Sequence, residues 1–203
     1  AILLRALFDV YRRDLDPSRL VWAEALALEA IARLRDADGL LAETSEDECF
    51  AGHAVYSNLM LFGESTWGTI YGPLMRLFRL TGNPEFEQTA AAIRARLGST
   101  AKRTPIVHTD FLRGAMAAST DTVVYLTGEP GSPEFQSLHH ALLAPRLEAL
   151  TLVHLAAALP ESFKRPEEAQ GTKAVVVRKG ELLGAAADPA DLAALLDQVF
   201  ARD

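Results

Sequence analysis

Apolar residues recur at helical spacing in two stretches that share the same punctuation. Residues 2–13 read as one helix, with Leu3, Leu7, Val10 and either Phe8 or Tyr11 on its apolar side. Asp14-Leu15-Asp16-Pro17 ends it. Asp16 then suits the cap of a second helix and Pro17 its first position, where a missing N–H costs nothing. That helix runs to about Arg35 on Leu20, Ala23, Ala27, Ile31 and Leu34, and Asp36-Ala37-Asp38-Gly39 closes it. The pair then repeats. Ser65 or Thr66 opens a helix on Trp67, Ile70, Leu74 and Leu77 that stops near Gly82, and Asn83-Pro84 starts another on Phe86, Ala90, Ile93 and Leu97. Asp16-Pro17 and Asn83-Pro84 hold the same place between paired helices, so the pattern predicts repeated αα hairpins. One more helix is expected over residues 105–118.

After Ser119 the pattern changes. Thr122-Val123-Val124-Tyr125-Leu126 is a β-branched run that reads as a buried strand. Ser132-Pro133-Glu134 starts a helix to about Ala144, and residues 150–155 read as a second strand, parallel to the first across a right-handed crossover. Residues 173–178 and 181–185 flank Lys179-Gly180, a two-residue hairpin turn expected to join the same sheet. Asp188-Pro189 caps a last helix on Leu192, Leu195, Leu196 and Val199. The expected architecture is mainly α: a helical-hairpin region over 1–120, then a small βαβ, β-hairpin and helix annex over 121–203 packed on it.

Composition narrows the function classes. The chain has 203 residues and a net charge of −7, and its basic residues cluster in sequence no more densely than pairs such as Lys102-Arg103, which argues against a nucleic-acid partner. The one cysteine, Cys49, excludes an internal disulfide and a cysteine metal site, so the chain reads as cytoplasmic. Its neighbours Glu46, Asp47 and Glu48 oppose a thiolate there. No stretch has the roughly 20 apolar residues of a membrane span. The apolar opening meets Arg5 at once, which makes it an amphipathic helix instead of a signal peptide. That helix starts in stride without a cap residue, as in a chain cut from something longer. His53, His108, His139, His140 and His154 show no ligand spacing, so neither metal nor cofactor is expected. Gly128-Glu129-Pro130-Gly131-Ser132 sits where a phosphate loop would, but it matches neither a Walker loop nor a dinucleotide fingerprint and reads as a tight βα turn.

The connection over 39–64 is long for two packed helices, and long loops often carry function. Asp47, His53, Tyr56, Glu64 and Trp67 lie in or beside it. Asp47, His53 and Glu64 are of the types that act as general acid or base, and Tyr56 and Trp67 are of the type that stacks on a sugar face. Packing accounts for the same positions. The segment reads equally as a surface excursion with a short hairpin near 40–44, Trp67 as the start of a core stripe with Ile70 and Leu74, and Glu64 as a first-turn acid favoured by the helix dipole.

The order of parts resembles the C-terminal part of the spermatogenesis-associated protein 20 (YyaL-type) family. The resemblance covers nearly the whole chain and rests on order and spacing. Leu41-Ala42-Glu43-Thr44-Ser45-Glu46-Asp47 is similar to that family's Phe-Asp-Thr-x-x-Asp segment, and Gly63-Glu64-Ser65 to its Ser-Gly-Asn-Ser. Leu77-Phe78-Arg79-Leu80-Thr81-Gly82-Asn83, Thr122-Val123-Val124-Tyr125-Leu126-Thr127-Gly128, residues 174–178 and Ala187-Asp188-Pro189-Ala190-Asp191-Leu192 complete it. The resemblance implies part of an (α/α)6 barrel similar to N-acylglucosamine 2-epimerases and six-hairpin glycosidases, followed by an α/β region and without the family's thioredoxin-like domain. Departures bear on activity. The family's Arg-Pro-Lys and following Asp fall on Ala51, Gly52, His53 and Ser57, and its late Cys-x4-Cys pair falls on Val177 and Leu182. The expectation is therefore a degenerate, non-catalytic barrel fragment that serves as an interaction or scaffold module. The alternative is a carbohydrate-active domain, an isomerase, epimerase or hydrolase with a rim cleft near 43–67. Five barrel-type helices are only part of a ring, so a homodimer or a partner chain is expected to complete the wall.

Overall fold

The computed structural model describes residues 1–42, 66–144, 149–156, 158–167 and 171–201. Among them are seven α-helices and four strands: α1 (Ile2–Asp14), α2 (Pro17–Leu34), α3 (Thr66–Thr81), α4 (Pro84–Arg103), α5 (Thr109–Thr120), β1 (Thr122–Thr127), α6 (Pro133–Leu142), β2 (Thr151–His154), β3 (Lys173–Arg178), β4 (Glu181–Ala186) and α7 (Pro189–Phe200). The chain is mainly helical with a small mixed sheet.

Local chemistry starts four of these helices in the same way. Asp16, Asn83, Ser132 and Asp188 each accept a hydrogen bond from a first-turn N–H through the side chain, and a proline follows each one. α2 packs back on α1, and α4 on α3. Asp36 turns the chain after α2 by accepting from the N–H groups of Asp38 and Leu40. Arg35 then bridges Leu41, which is the described part of the short hairpin expected near 40–44.

α1, α3 and α5 run side by side in the same direction. Tyr71 and Phe111 meet at 5.0 Å between ring centroids, Gly72 touches Gly114, and one turn or two further on Arg79 reaches the carbonyls of Ala117 and Ala118. Arg5 near the start of α1 pairs with Asp110 near the start of α5, while Phe8 lies under Arg76 of α3.

Two expectations are corrected. The buried side of α1 is Leu4, Phe8 and Tyr11; Leu3 is 62% and Val10 45% exposed, and Leu7 is half-buried. Both stripes are apolar and helical in period, and the aromatic one is chosen because Tyr11 and Phe8 have partners in β2 and α3. The helix expected over 105–118 begins instead at Thr109, after a single 3-10 turn over Pro105–Val107. His108, with φ −129° and ψ 31°, separates the two.

The sheet has the order β2-β1-β3-β4. β1 and β2 pair in parallel, Val123 opposite Thr151, as their helix-length connection predicts. β3 lies antiparallel to β1 with Val124 opposite Val176, and β4 folds back on β3. Lys179 and Gly180 both take positive φ, 52° and 80°, the backbone of a two-residue hairpin whose twist suits the strands. β1 is buried along its whole length. The buried side chains form one continuous cluster from Leu4 to Val199. At the joint near residue 120, Asp121 alone separates α5 from β1 and adopts φ 40°.

Candidate functional site

Asp47, His53, Tyr56 and Glu64 lie outside the described residues. Trp67 is described and is a core residue: it is 5% exposed, and its Nε1–H donates to the Leu41 carbonyl at 2.7 Å. That bond fixes the chain leaving α2 against the start of α3. A ring held in this way presents no face for stacking on a ligand.

An open feature of the described structure lies elsewhere. A cleft of about 1040 Å³ runs over the α1–α3–α5 layer and ends against the segment entering β2. α1 contributes Arg5, Asp9, Arg12 and Arg13; α3 contributes Thr69, Pro73 and Arg76; α5 contributes Asp110, Arg113 and Met116; Leu150 and Leu152 stand at the far end. Neither α2 nor α4 reaches it. Pro73 sits inside α3, where its ring cannot donate to the carbonyl one turn back, that of Thr69; both residues line the cleft.

Charge in the cleft opposes that of the chain. Five arginines and two aspartates line it among the described residues, in a protein of net charge −7. Arg5 stands 3.2 Å from Asp110 and 3.8 Å from Asp9. Arg12 donates to the Leu142 carbonyl, and the Arg76 guanidinium lies 5.6 Å from the Phe8 ring centre. Arg13 and Arg113 are exposed. Basic residues are scattered along the sequence, and the fold gathers these five. A partial signal existed, since Arg5 and Arg12 are two turns apart on one face of α1.

Beyond one end of the cleft, α1 is fastened to the annex. The Tyr11 hydroxyl accepts from the backbone N–H of His154 at 2.8 Å, and His139 Nε2 donates to the Arg12 carbonyl at 2.9 Å. His154 Nε2 donates to the Gly128 carbonyl at 3.3 Å, and its ring meets Phe135 edge-on at 4.9 Å. Burial holds the His154 pKa below the ordinary imidazole value; the Gly128 bond opposes this, and His139 nearby adds to it. A folded-state pKa below the unfolded one means that the unfolded chain takes up the proton first. Stability is therefore complete above about pH 6.5 and falls as the pH drops from there towards the folded-state pKa. Urea midpoints measured from pH 8 to pH 5 are expected to decline over the lower half of that range, and His154→Phe to flatten the decline.

His108, just ahead of α5, is 4% exposed, and neither ring nitrogen has a hydrogen-bond partner among the described residues. It does not line the cleft. Among the described residues no three His, Cys, Asp or Glu side chains gather as metal ligands, and no helix is long and apolar enough to cross a membrane.

No family model matches the chain, and no curated protein and no solved structure matches it.

Proposed function

We propose that the chain is a non-catalytic interaction module, an open arc of an (α/α)6-type ring like that of the family it resembles. The observation that carries this reading is the edge of the helix layer. Leu3 and Val10 lie about half a turn round α1 from Phe8 and Arg12, which touch α3 and the end of α6. They therefore face away from the rest of the arc, exposed, together with Ile2 at 75%. In a closed ring this is where the next inner helix would pack. Two-fold pairing is the commonest way for identical chains to cover such a side, and a second copy is the partner proposed here.

Two further features support the reading. Parallel inner helices with their partners packed behind are what an αα ring requires, and α1, α3 and α5 with α2 and α4 have that relation. Val177 and Leu182, where the family carries its two cysteines, stand opposite each other across β3 and β4.

Sedimentation velocity tests the proposal. The expected result is a concentration-dependent dimer that Leu3→Lys with Val10→Lys converts to monomer without loss of helix content. A monomer at every concentration, matched by the double variant, would remove the proposal. Turnover of an aldose or an N-acyl hexosamine, abolished by Glu64→Gln or His53→Ala, would replace it with the carbohydrate-active reading.

A further inference from the structure

We propose that the connection between α4 and α5 seats on the surface of an anionic lipid bilayer, with Ile106 dipping below the headgroups and Arg96, Lys102 and Arg103 meeting lipid phosphates. The contact lies on the membrane and does not span it. The inference rests on this connection alone and not on the pairing of two copies.

The apolar tip comes first. Residues 102–107 are exposed in an unbroken run, and within it Ile106 is 84% and Val107 39% exposed. A turn holds them out. The Thr104 N–H donates to the Thr100 carbonyl at 2.9 Å, that of Val107 to Thr104 at 3.2 Å, and that of His108 to Pro105 at 3.0 Å. Pro105 fixes φ inside the turn, and His108 behind it is buried. The tip therefore keeps its shape before it meets anything. A turn of this kind closes equally well on polar residues, so packing within the chain does not account for an isoleucine there. A protein partner does not account for it either. A stable protein contact covers about 800 Å² on each side, more than the three residues Pro105, Ile106 and Val107 offer. A bilayer needs no matching shape, only an apolar side chain that reaches past the headgroups.

Charge selects the kind of bilayer. Between Glu87 and Asp110 the sequence has no acidic residue, and it has Arg94, Arg96, Lys102 and Arg103, in a chain of net charge −7. Ile93, Leu97 and Ala101 face the core. Arg96 and Arg103, two turns apart, therefore share an exposed face of α4, with Lys102 beside Arg103. No carboxylate among the described residues pairs with Arg96, Lys102 or Arg103. Asp110, the next acid along the chain, is held by Arg5 at 3.2 Å, and its side chain is 10% exposed. The helix dipole accounts for cations in the last turn of α4. It accounts neither for Arg96 nor for the apolar tip that follows. Cations beside an exposed aliphatic side chain are the two signals that attachment to an anionic membrane surface combines.

Flotation of the whole chain with vesicles tests the proposal. Vesicles of phosphatidylcholine mixed with phosphatidylglycerol are expected to carry the protein, and vesicles of phosphatidylcholine alone to leave it behind. Ile106→Ser should weaken binding about tenfold, the scale for keeping one aliphatic side chain in water. Lys102→Gln and Arg103→Gln should each weaken it about fivefold, and raised salt should weaken it further. Arg33→Gln, at the end of α2 that Arg35 ties to Glu85, lies far from the tip and should change nothing. All these side chains are exposed, and circular dichroism of each variant checks that the fold is kept. Ile106→Trp should keep the binding, and its emission should move to the blue when mixed vesicles are added, read against the parent's Trp22 and Trp67. A parent chain that does not float with mixed vesicles, or an Ile106→Ser chain that floats as well as the parent, overturns the proposal. So does polyglutamate bound equally by the parent and by Ile106→Ser without vesicle binding, which would assign the cations to an acidic protein segment. None of these results alters the sedimentation test of self-association.

Discussion

Replacing Arg79 by methionine is expected to lower the unfolding free energy by about 3 kcal/mol, the scale for breaking a buried ion pair. Arg79 comes from α3, is 7% exposed, and ties three elements together. Its Nη2 donates to the carbonyls of Ala117 and Ala118 at 2.9 and 2.8 Å, at the end of α5 where helix carbonyls lack partners. Its Nε stands 2.8 Å from Asp121 Oδ1, and its Nη1 is 3.5 Å from the Thr151 hydroxyl at the start of β2. Burial disfavours the charged guanidinium, and Asp121 acts against that. Methionine fills the space but takes the guanidinium from the Ala118 carbonyl, while the Ala117 carbonyl keeps the Thr120 hydroxyl at 3.0 Å. Asp121→Asn isolates the charge, because asparagine tolerates the left-handed backbone at this position. The Asp121 side chain is 43% exposed, so this variant should lose about 1 kcal/mol or less. Urea denaturation of both variants reads the difference. Equal losses, or a loss under about 1 kcal/mol for Arg79→Met, would show that the clamp contributes little.

Gly114→Ala should cost about 2 kcal/mol, although alanine is the better helix former by about 1 kcal/mol. α3 and α5 approach so closely that a Cβ at Gly114 would lie 3.0 Å from Gly72 N, 3.0 Å from Tyr71 Cδ1 and 3.1 Å from Gly72 Cα. Two of those atoms are backbone, so the helices themselves must part. Gly72→Ala meets only Gly114 Cα at 3.3 Å and should cost less. Gly98 in α4 has nothing within 4 Å of its notional Cβ, and Gly98→Ala should stabilise by about 0.5–1 kcal/mol. The same substitution at three helical glycines therefore gives a ranked series by thermal melting. If Gly114→Ala melts with or above Gly98→Ala, the close approach of α3 and α5 is not what glycine provides there.

What was legible in the sequence was what short-range chemistry decides. The caps at Asp16, Asn83, Ser132 and Asp188 act within three residues of themselves, and so does the Lys179-Gly180 turn. The parallel pairing of β1 and β2 followed from the length between them. Period alone does not choose the face of α1, because Ile2, Leu3, Leu4, Leu7, Phe8, Val10 and Tyr11 leave it apolar on most sides. Contacts with Arg76 and His154, far along the chain, make that choice. The same distance hid the cleft. Arg5, Arg76 and Arg113 carry no motif, and only the parallel course of α1, α3 and α5 brings them together. The acid, histidine and tyrosine candidates of the 43–65 stretch lie outside the described residues, and Trp67 belongs to the core.

The fastening of α1 to the annex has a consequence for the order of folding. Tyr11 meets His154 across 143 residues of chain, Arg12 meets Leu142 across 130, and His139 meets Arg12 across 127. Closing loops of that length precedes any gain from the contacts they bring, which slows the search for the native state. During synthesis the second hairpin, α3 with α4, has its own partners at hand. Phe8 meets α3 at that stage, but Tyr11 lacks its partner until β2 has left the ribosome. α1 is thus made well before its last contacts form, and Tyr11 stays available in the meantime to whatever binds nascent apolar chain.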